Sequence, residues 1–235
     1  MHLPKDKFTL YFLDESRSLR VMWMLEILGV DYEIDIHLRH PETLRGPSEL
    51  FQVHPLGKAP VLDIKFAENS PDVRMAKSGL IMQYLLKHYD PNNILNPQSE
   101  QERLMGTLQP ILMSILINNY AKRIAPLGLK SMAKLLSKGL NYGYYKPEFD
   151  LNLRFLEKQL RDNSTGYFVG AKPTAADIIL SIPVYENVFD NELGVKECTG
   201  ETELYKKSPQ LAAWCDKRLS DVTHKRVDEM CRAKK

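Results

Sequence analysis

The stretch His54-Pro55-Leu56-Gly57-Lys58-Ala59-Pro60-Val61-Leu62 decides the fold of this chain. Gly57 permits a tight turn, and Pro60 fixes its own φ and removes a backbone donor where a strand begins. The cis form is readily accessible only at an X-Pro bond, and a cis Ala59–Pro60 bond would turn the backbone of Ala59 outward, where an extended peptide could pair with it. The alternative is a loop that enters a strand, and the stretch by itself favours this alternative.

The residues around this stretch predict a small mixed sheet covered by helices. The spacing of apolar residues predicts strands at Thr9–Leu13, Tyr32–Leu38, Val61–Phe66 and Val73–Met75, and helices at Arg17–Leu28 and from Ser78 onward. A strand–helix–strand unit needs parallel strands, and the hairpin that follows adds an antiparallel pair. We therefore expect an α/β domain over residues 1–90.

The second half of the chain predicts only helices. Residues 91–98 are rich in turn formers and read as a linker, so residues 99–235 are expected to form an all-α domain. A kink is expected at Pro110 in the first helix. Thr174 and Asp177 have the spacing of a capping box, which is a folding signal. The predicted helices are Glu100–Lys122, Lys130–Leu140, Glu148–Asp162, Thr174–Phe189 and Ser208–Ser220.

Composition excludes several classes of function. The 235 residues are 43% apolar and 26% charged with a formal charge of +2, which gives no electrostatic reason to propose nucleic acid. We find no Lys/Arg-rich block for a membrane surface, no membrane-spanning run and no signal peptide, so a cytoplasmic protein is expected. The histidines show no metal-binding pattern. The cysteines form no disulfide framework, and all three come late: Cys198, Cys215 and Cys231.

Two serines at predicted helix N-termini are candidate binding residues. Ser16 is either an N-cap or a hydroxyl that donates a hydrogen bond to an anion, and these roles are compatible. A thiol bound there would be shifted toward thiolate. Ser78 begins a later helix, so its hydroxyl and the following N–H groups can hold a carboxylate. Tyr11 is a second hydroxyl near Ser16, although its strand position favours a core or rim aromatic residue.

Two cations lie in or near the opening stretch. Lys58 and Arg45 could each grip a carboxylate, although each alone is more typical of a solvated surface residue. Together with Ala59 and Ser78 they describe a site for an extended ligand that carries two carboxylates.

In four segments the chain resembles the cytosolic glutathione transferases, and most closely the fungal Gtt-type enzymes. The segments occur in the family's order along essentially the whole chain: Ser16–Glu26, His54–Leu62, Lys77–Gly79 and Gly170–Asp177. The resemblance implies a thioredoxin-like N-terminal domain (βαβ–ββα with a cis proline), an all-helical C-terminal domain and a homodimer.

The resemblance also implies how glutathione binds as co-substrate. Ala59, preceding a cis Pro60, would pair with the cysteinyl unit. Ser78 would bind the γ-glutamyl carboxylate. Lys58, with Arg45 as a less certain match, would bind the glycyl carboxylate. No metal is implied.

The same resemblance assigns the chemistry. Ser16 would activate the thiol, with Tyr11 as the alternative. Since residues 1–197 contain no cysteine, the chain cannot act as a dithiol oxidoreductase or a cysteine-type transferase, and the thiol must come from the ligand. Residues expected in the wall of the electrophile site, for which core packing is an equal alternative, are Met105, Gln109, Met113 and Tyr120.

One position departs from the family pattern. The family usually has an acid before the serine, where it receives the γ-glutamyl ammonium, but this chain has Lys77. The leading interpretation is a transferase that conjugates glutathione to apolar electrophiles, with a possible peroxidase side activity. The alternatives are a glutathione-dependent isomerase or biosynthetic enzyme of secondary metabolism, and a non-catalytic interaction module, which Lys77 favours.

Overall fold

The computed structural model describes residues 6–41, 43, 45–67, 71–95 and 108–233. The chain divides into two compact units. The first unit comprises Met1–Asn96 together with Leu219–Lys235, and the second comprises Pro97–Arg218. The boundaries predicted near residues 90 and 99 stay a prediction.

The first unit is built on a four-stranded sheet in the order β2-β1-β3-β4. Strand β1 pairs in parallel with β2 and antiparallel with β3, and β3 pairs antiparallel with β4. This confirms the predicted thioredoxin-like arrangement. The strands are β1 (Lys7–Leu13), β2 (Tyr32–His37), β3 (Val61–Lys65) and β4 (Val73–Ala76), and the helices between and after them are α1 (Ser18–Leu28), α2 (Leu50–Val53) and α3 (Ser78–Tyr89).

The core of this unit follows from alternation in the strands. Phe8, Leu10 and Phe12 on β1 are buried, as successive side chains of a strand point to opposite faces. Helix α1 ends at Gly29, whose φ of 65° allows its N–H to close the last turn. The sequence did not predict helix α2, because four residues with one buried side chain, Leu50, show no periodicity.

The last helix of the chain belongs to the first unit. Helix α11 (Val222–Ala233) packs against α1. Its Arg226 forms a 2.7 Å ion pair with Glu26 on α1, and the Tyr32 hydroxyl donates a 2.7 Å hydrogen bond to the same carboxylate. The sequence did not predict this helix.

The second unit is helical, as predicted, and no strand occurs in its described residues 108–218. Its helices are α4 (Leu108–Ile124), α5 (Lys130–Leu140), α6 (Lys146–Asn163), α7 (Ala175–Leu180), α8 (Glu192–Thr199), α9 (Leu204–Lys207) and α10 (Pro209–Leu219). Helix α4 is described from Leu108 onward. The predicted kink at Pro110 depends on the residues before Leu108, which lie outside the described residues.

The predicted helix Thr174–Phe189 changes its winding part-way. Helix α7 continues as a π-helical segment, Ser181–Phe189. This segment contains Pro183, which has no backbone N–H and therefore cannot make the regular hydrogen bond of an α-helix.

The capping box at the start of α7 is confirmed and is larger than the sequence indicated. The Asp177 carboxylate accepts hydrogen bonds from the Thr174 N–H at 2.9 Å and the Thr174 hydroxyl at 3.1 Å. It also accepts from the Phe168 N–H at 3.2 Å and from the Trp214 indole N–H at 2.9 Å. Burial raises the pKa of Asp177, while these hydrogen bonds act in the opposite direction.

Candidate functional site

Three segments with candidate residues meet at one edge of the sheet. Val61, the first residue of β3, lies opposite Tyr11 near the end of β1 and opposite Ala76 at the end of β4. The chain leaves β1 toward Ser16, enters β3 from Ala59 and leaves β4 into Ser78. Adjacent strands lie about 4.8 Å apart, so β1 and β4 are separated by about 10 Å. An extended tripeptide is also about 10 Å long.

The middle of this edge is formed by the residues before β3. The Ala59–Pro60 bond is cis, which confirms the prediction. Pro60 is buried and Ala59 half-buried, and within the described part of the chain the Ala59 backbone makes no hydrogen bond. Gly57 has a φ of 56°, a backbone conformation that favours glycine, and a Cβ there would lie 2.6 Å from the exposed Phe51 ring, which would have to move.

Ser16 lies in the turn between β1 and α1. The cap residue of α1 is Arg17, one residue later, but the Ser16 hydroxyl oxygen accepts a 3.2 Å hydrogen bond from the Ser18 N–H. Its hydroxyl donates to the Leu13 carbonyl at 2.7 Å. The side chain is half-buried, so a ligand can reach it.

A clamp from the end of β2, which sequence reasoning missed, holds this turn. The Arg39 guanidinium donates hydrogen bonds to the Asp14 and Glu15 carbonyls, each at 3.1 Å. The backbone N–H of Arg39 donates a 2.7 Å hydrogen bond to the Asp14 carboxylate. Glu15 has a φ of 47°, which is uncommon for a residue with a side chain. The clamp therefore fixes the unusual backbone that presents Ser16.

The far end of the edge is formed by the start of α3. Ser78 is the first residue of α3 and is buried, and its hydroxyl has no hydrogen-bond partner among the described residues. The preceding Lys77 is exposed and has a φ of 79°. The free N–H groups of the first helical turn favour an anion at this position.

Tyr11 has a different environment from Ser16. Its hydroxyl donates a 3.4 Å hydrogen bond to Asp63 on β3, and the Arg74 guanidinium lies 5.7 Å from its ring. Arg74 in turn forms a two-pronged ion pair with Asp63, at 2.5 and 2.6 Å. Burial and the neighbouring Asp63 carboxylate raise the pKa of Tyr11, which makes the phenol a weaker acid.

The other predicted site residues that the structure describes lie on the segments around α2 and on α4. Lys58 and Arg45 are exposed, in the segments that flank α2. The Arg45 carbonyl accepts a 2.9 Å hydrogen bond from the His40 N–H, which closes a loop after β2. Gln109, Met113 and Tyr120 lie on α4, and Met105 lies outside the described residues.

The described residues contain neither a metal-binding cluster nor a membrane-spanning helix. No group of three or more His, Cys, Asp or Glu side chains there could hold a metal ion. No described helix combines the length and the apolar composition needed to cross a bilayer.

Two family models match the chain in consecutive regions. The model for the glutathione S-transferase N-terminal domain matches residues 16–88, and the model for the C-terminal domain matches residues 121–220. The chain belongs to the glutathione S-transferase family. The predicted family and the predicted order of its two domains are therefore confirmed.

Individual glutathione transferases match over most of the chain. Glutathione S-transferase 1 of Saccharomyces cerevisiae is 28% identical, and the match covers 99% of this chain and 98% of the relative. Glutathione S-transferase 3 of Schizosaccharomyces pombe is 27% identical over 75% of this chain and 72% of its own length. These matches confirm the resemblance to fungal enzymes.

Solved structures of glutathione transferases share the fold. A glutathione S-transferase from Actinobacillus pleuropneumoniae superposes with a TM-score of 0.67 at 25% identity, over 95% of this chain and 92% of that one. A glutathione transferase from Phanerochaete chrysosporium, solved with oxidized glutathione, has a TM-score of 0.62 at 23% identity, over 99% and 97% of the two chains.

Proposed function

We propose that this glutathione transferase family member conjugates glutathione to apolar electrophiles. The observation that supports this most directly is the sheet edge, where Ser16 follows the end of β1, Ala59 precedes the start of β3 and Ser78 follows the end of β4, three neighbouring strands. The spacing suits an extended tripeptide, and the fungal relatives carry the name glutathione S-transferase.

In the proposed complex each segment has one task. Ala59 pairs through its backbone with the cysteinyl unit. The Ser78 hydroxyl and the first N–H groups of α3 bind the γ-glutamyl carboxylate, and Lys58 and Arg45 bind the glycyl carboxylate. These contacts orient the thiol beside Ser16, so that its reaction with a second bound molecule becomes effectively unimolecular.

Ser16 then lowers the pKa of the thiol. Its hydroxyl donates a hydrogen bond to the thiolate, which favours the charged form, and the thiol proton passes to solvent. The thiolate sulfur forms a bond to the electrophilic carbon, whose leaving group departs or whose π electrons shift to a neighbouring atom. Tyr11 is a poorer candidate for this role, because its hydroxyl is bonded to Asp63 and its pKa is raised.

The electrophile is proposed to bind against α4. Met113 and Tyr120 are 41% and 60% exposed, and Met side chains adapt to apolar molecules of varied shape. Gln109 and Met105 belong to the same proposal. A peroxide would be an alternative electrophile, which is the basis for a peroxidase side activity. An electrophile site lined by these residues is compatible both with detoxification and with a dedicated biosynthetic conversion.

Lys77 supports a second candidate function, that of a non-catalytic module or of an enzyme with a narrow substrate. Its ammonium stands where the family usually has an acid, so that it repels the γ-glutamyl ammonium by about 1 kcal/mol in water. A protein that binds glutathione weakly, or that binds a ligand without this amine, would act as a non-catalytic module or on a narrow substrate. Ser16, Lys58 and Ser78, all present, favour the enzyme.

The proposal includes a cytoplasmic homodimer. Helix α5 presents an apolar stripe to solvent, with Met132, Leu135 and Leu136 at 59%, 72% and 60% exposure, while the small Ser137 is buried. An amphipathic helix normally buries its apolar stripe. Light scattering on the purified protein measures its mass, and a monomeric mass would contradict the dimer.

The enzymatic proposal is tested by Ser16→Ala. Loss of a hydrogen bond to a charged group weakens thiolate stabilisation by about 1.5–3 kcal/mol, so turnover at neutral pH should fall about 10- to 100-fold while glutathione affinity changes little. Tyr11→Phe is the matched control and should retain most of the activity. Unchanged turnover in Ser16→Ala would rule out this assignment. Retention on immobilised glutathione separates an inactive binder from a protein that does not bind.

A further inference from the structure

A second serine hydroxyl lies directly behind Ser16. Ser18 is fully buried at the first position of α1, and its Oγ lies 2.9 Å from the Oγ of Ser16. Ser16 lies in the turn that Arg39 clamps, and Ser18 begins the helix that follows it. Sequence reasoning did not single out Ser18, because a serine in the first turn of a helix is ordinary.

The hydrogen bonds around this pair determine which hydroxyl donates. Ser16 donates to the Leu13 carbonyl at 2.7 Å. The Ser18 oxygen accepts a 3.2 Å hydrogen bond from the Leu13 N–H. The remaining hydrogen, on the Ser18 hydroxyl, then points to the Ser16 oxygen. That oxygen therefore accepts two hydrogen bonds, one from the Ser18 hydroxyl and one from the Ser18 N–H at 3.2 Å.

We infer that Ser18 is a positioning residue that strengthens Ser16 as a hydrogen-bond donor to the glutathione thiolate. This inference rests on the proposed function of Ser16. When the thiolate binds, the Ser16 hydrogen turns about the Cβ–Oγ bond from the Leu13 carbonyl to sulfur, and the oxygen stays in place. Ser18 keeps donating to that oxygen. Neither serine loses its proton, and the proton of the thiol passes to solvent.

The effect of Ser18 comes from cooperativity between hydrogen bonds. A hydroxyl whose oxygen accepts hydrogen bonds becomes more polarised and donates more strongly, by roughly 10–30% per bond. For a bond at the strong end of the range for charged acceptors, this corresponds to about 0.5 unit in the pKa of the bound thiol. Below that pKa, loss of the Ser18 hydroxyl should therefore lower the thiolate fraction about threefold.

The test follows the thiolate rather than turnover alone. The ultraviolet absorbance of the thiolate of bound glutathione is measured against pH for the wild type, Ser18→Ala and Ser16→Ala. We expect Ser18→Ala to raise the thiol pKa by about 0.5 unit and Ser16→Ala to raise it by more. The kcat/KM of Ser18→Ala should be about threefold lower at low pH and should converge with the wild type at high pH. Ser137→Ala removes another buried hydroxyl, on α5, and should leave the thiol pKa unchanged.

The outcomes separate this inference from the proposed function. A raised pKa in Ser16→Ala with a wild-type pKa in Ser18→Ala would overturn the role of Ser18 and leave the function of Ser16 standing. A wild-type pKa in Ser16→Ala would overturn both. Should Ser18→Ala fail to fold, because the Leu13 N–H loses its acceptor, Ser18→Cys keeps the size and replaces a strong donor by a weak one. The pH profile of its kcat/KM should shift in the same direction, and an unshifted profile would overturn the inference.

Discussion

Replacement of Asp177 by Ala should destabilise the second unit by about 4 kcal/mol. The carboxylate accepts four hydrogen bonds at 2.9 to 3.2 Å and is fully buried. A hydrogen bond to a charged group contributes about 1.5–3 kcal/mol, and each buried donor left without an acceptor costs about 1–3 kcal/mol. The Phe168 N–H and the Trp214 indole N–H would be left in this way. Because the individual losses are not additive, we expect less than their sum.

The two tryptophans make this prediction measurable. Trp23 lies on α1 in the first unit and Trp214 on α10 in the second, so in a Trp23→Phe background the fluorescence follows the second unit alone. With a slope of about 2 kcal/mol per molar urea, the midpoint for Asp177→Ala should fall by about 2 M. Asp162→Ala removes an exposed aspartate paired with Lys158 on α6 and should change stability by less than about 0.5 kcal/mol. A loss below about 1 kcal/mol for Asp177→Ala would refute the reasoning.

Three further predictions concern charged groups. Lys77→Glu replaces about 1 kcal/mol of repulsion of the γ-glutamyl ammonium by a similar attraction, so glutathione should bind about 30-fold more tightly in calorimetry. Unaltered affinity would place the ammonium elsewhere. Arg39→Met removes the two side-chain bonds that hold the turn before Ser16 and should lower kcat/KM about 3- to 10-fold, with a smaller effect on glutathione affinity. Burial acts to raise the pKa of Glu201, but hydrogen bonds from Lys207 and Lys146 outweigh burial and lower that pKa. The interactions of the Glu201 carboxylate therefore stabilise the fold above pH 4.5, and this stabilisation is lost as the pH falls below that value. Unfolding in urea at decreasing pH should show a shallower loss in Glu201→Gln than in the wild type, and equal slopes would contradict this.

Local sequence signals predicted most of the first unit. The spacing of apolar residues in the strands and the turn and proline residues around Pro60 each depend on neighbouring positions, and the structure has the strands and the cis bond as expected. The capping box at Thr174 is equally local. Its connection to Trp214 is not local, because the indole comes from 37 residues later in the chain, and no spacing rule relates the two.

In the candidate site too, local patterns were predicted and contacts between distant residues were not. Ser16 and Ser78 were recognised because a serine at a helix start is a local pattern. The Arg39 clamp joins residues 24 and 25 positions apart, and its side chain carries no signal that distinguishes it from a solvated arginine. The pairing of the Ser16 and Ser18 hydroxyls was missed for another reason. Which of the two hydroxyls donates depends on their hydrogen bonds to the Leu13 backbone, and this becomes apparent only when all the hydrogen bonds are known.

Helix α11 has a consequence for how the chain is made. The carboxylate of Glu26 acquires its partner Arg226 only after the whole second unit has been synthesised, which takes about ten seconds at ordinary ribosome rates. During this interval the surface of α1 that α11 later covers is exposed to other nascent chains and to chaperones. The synthesis of the first unit therefore begins before that of the second unit and ends after it. A fragment that stops before residue 219 would leave that surface permanently uncovered.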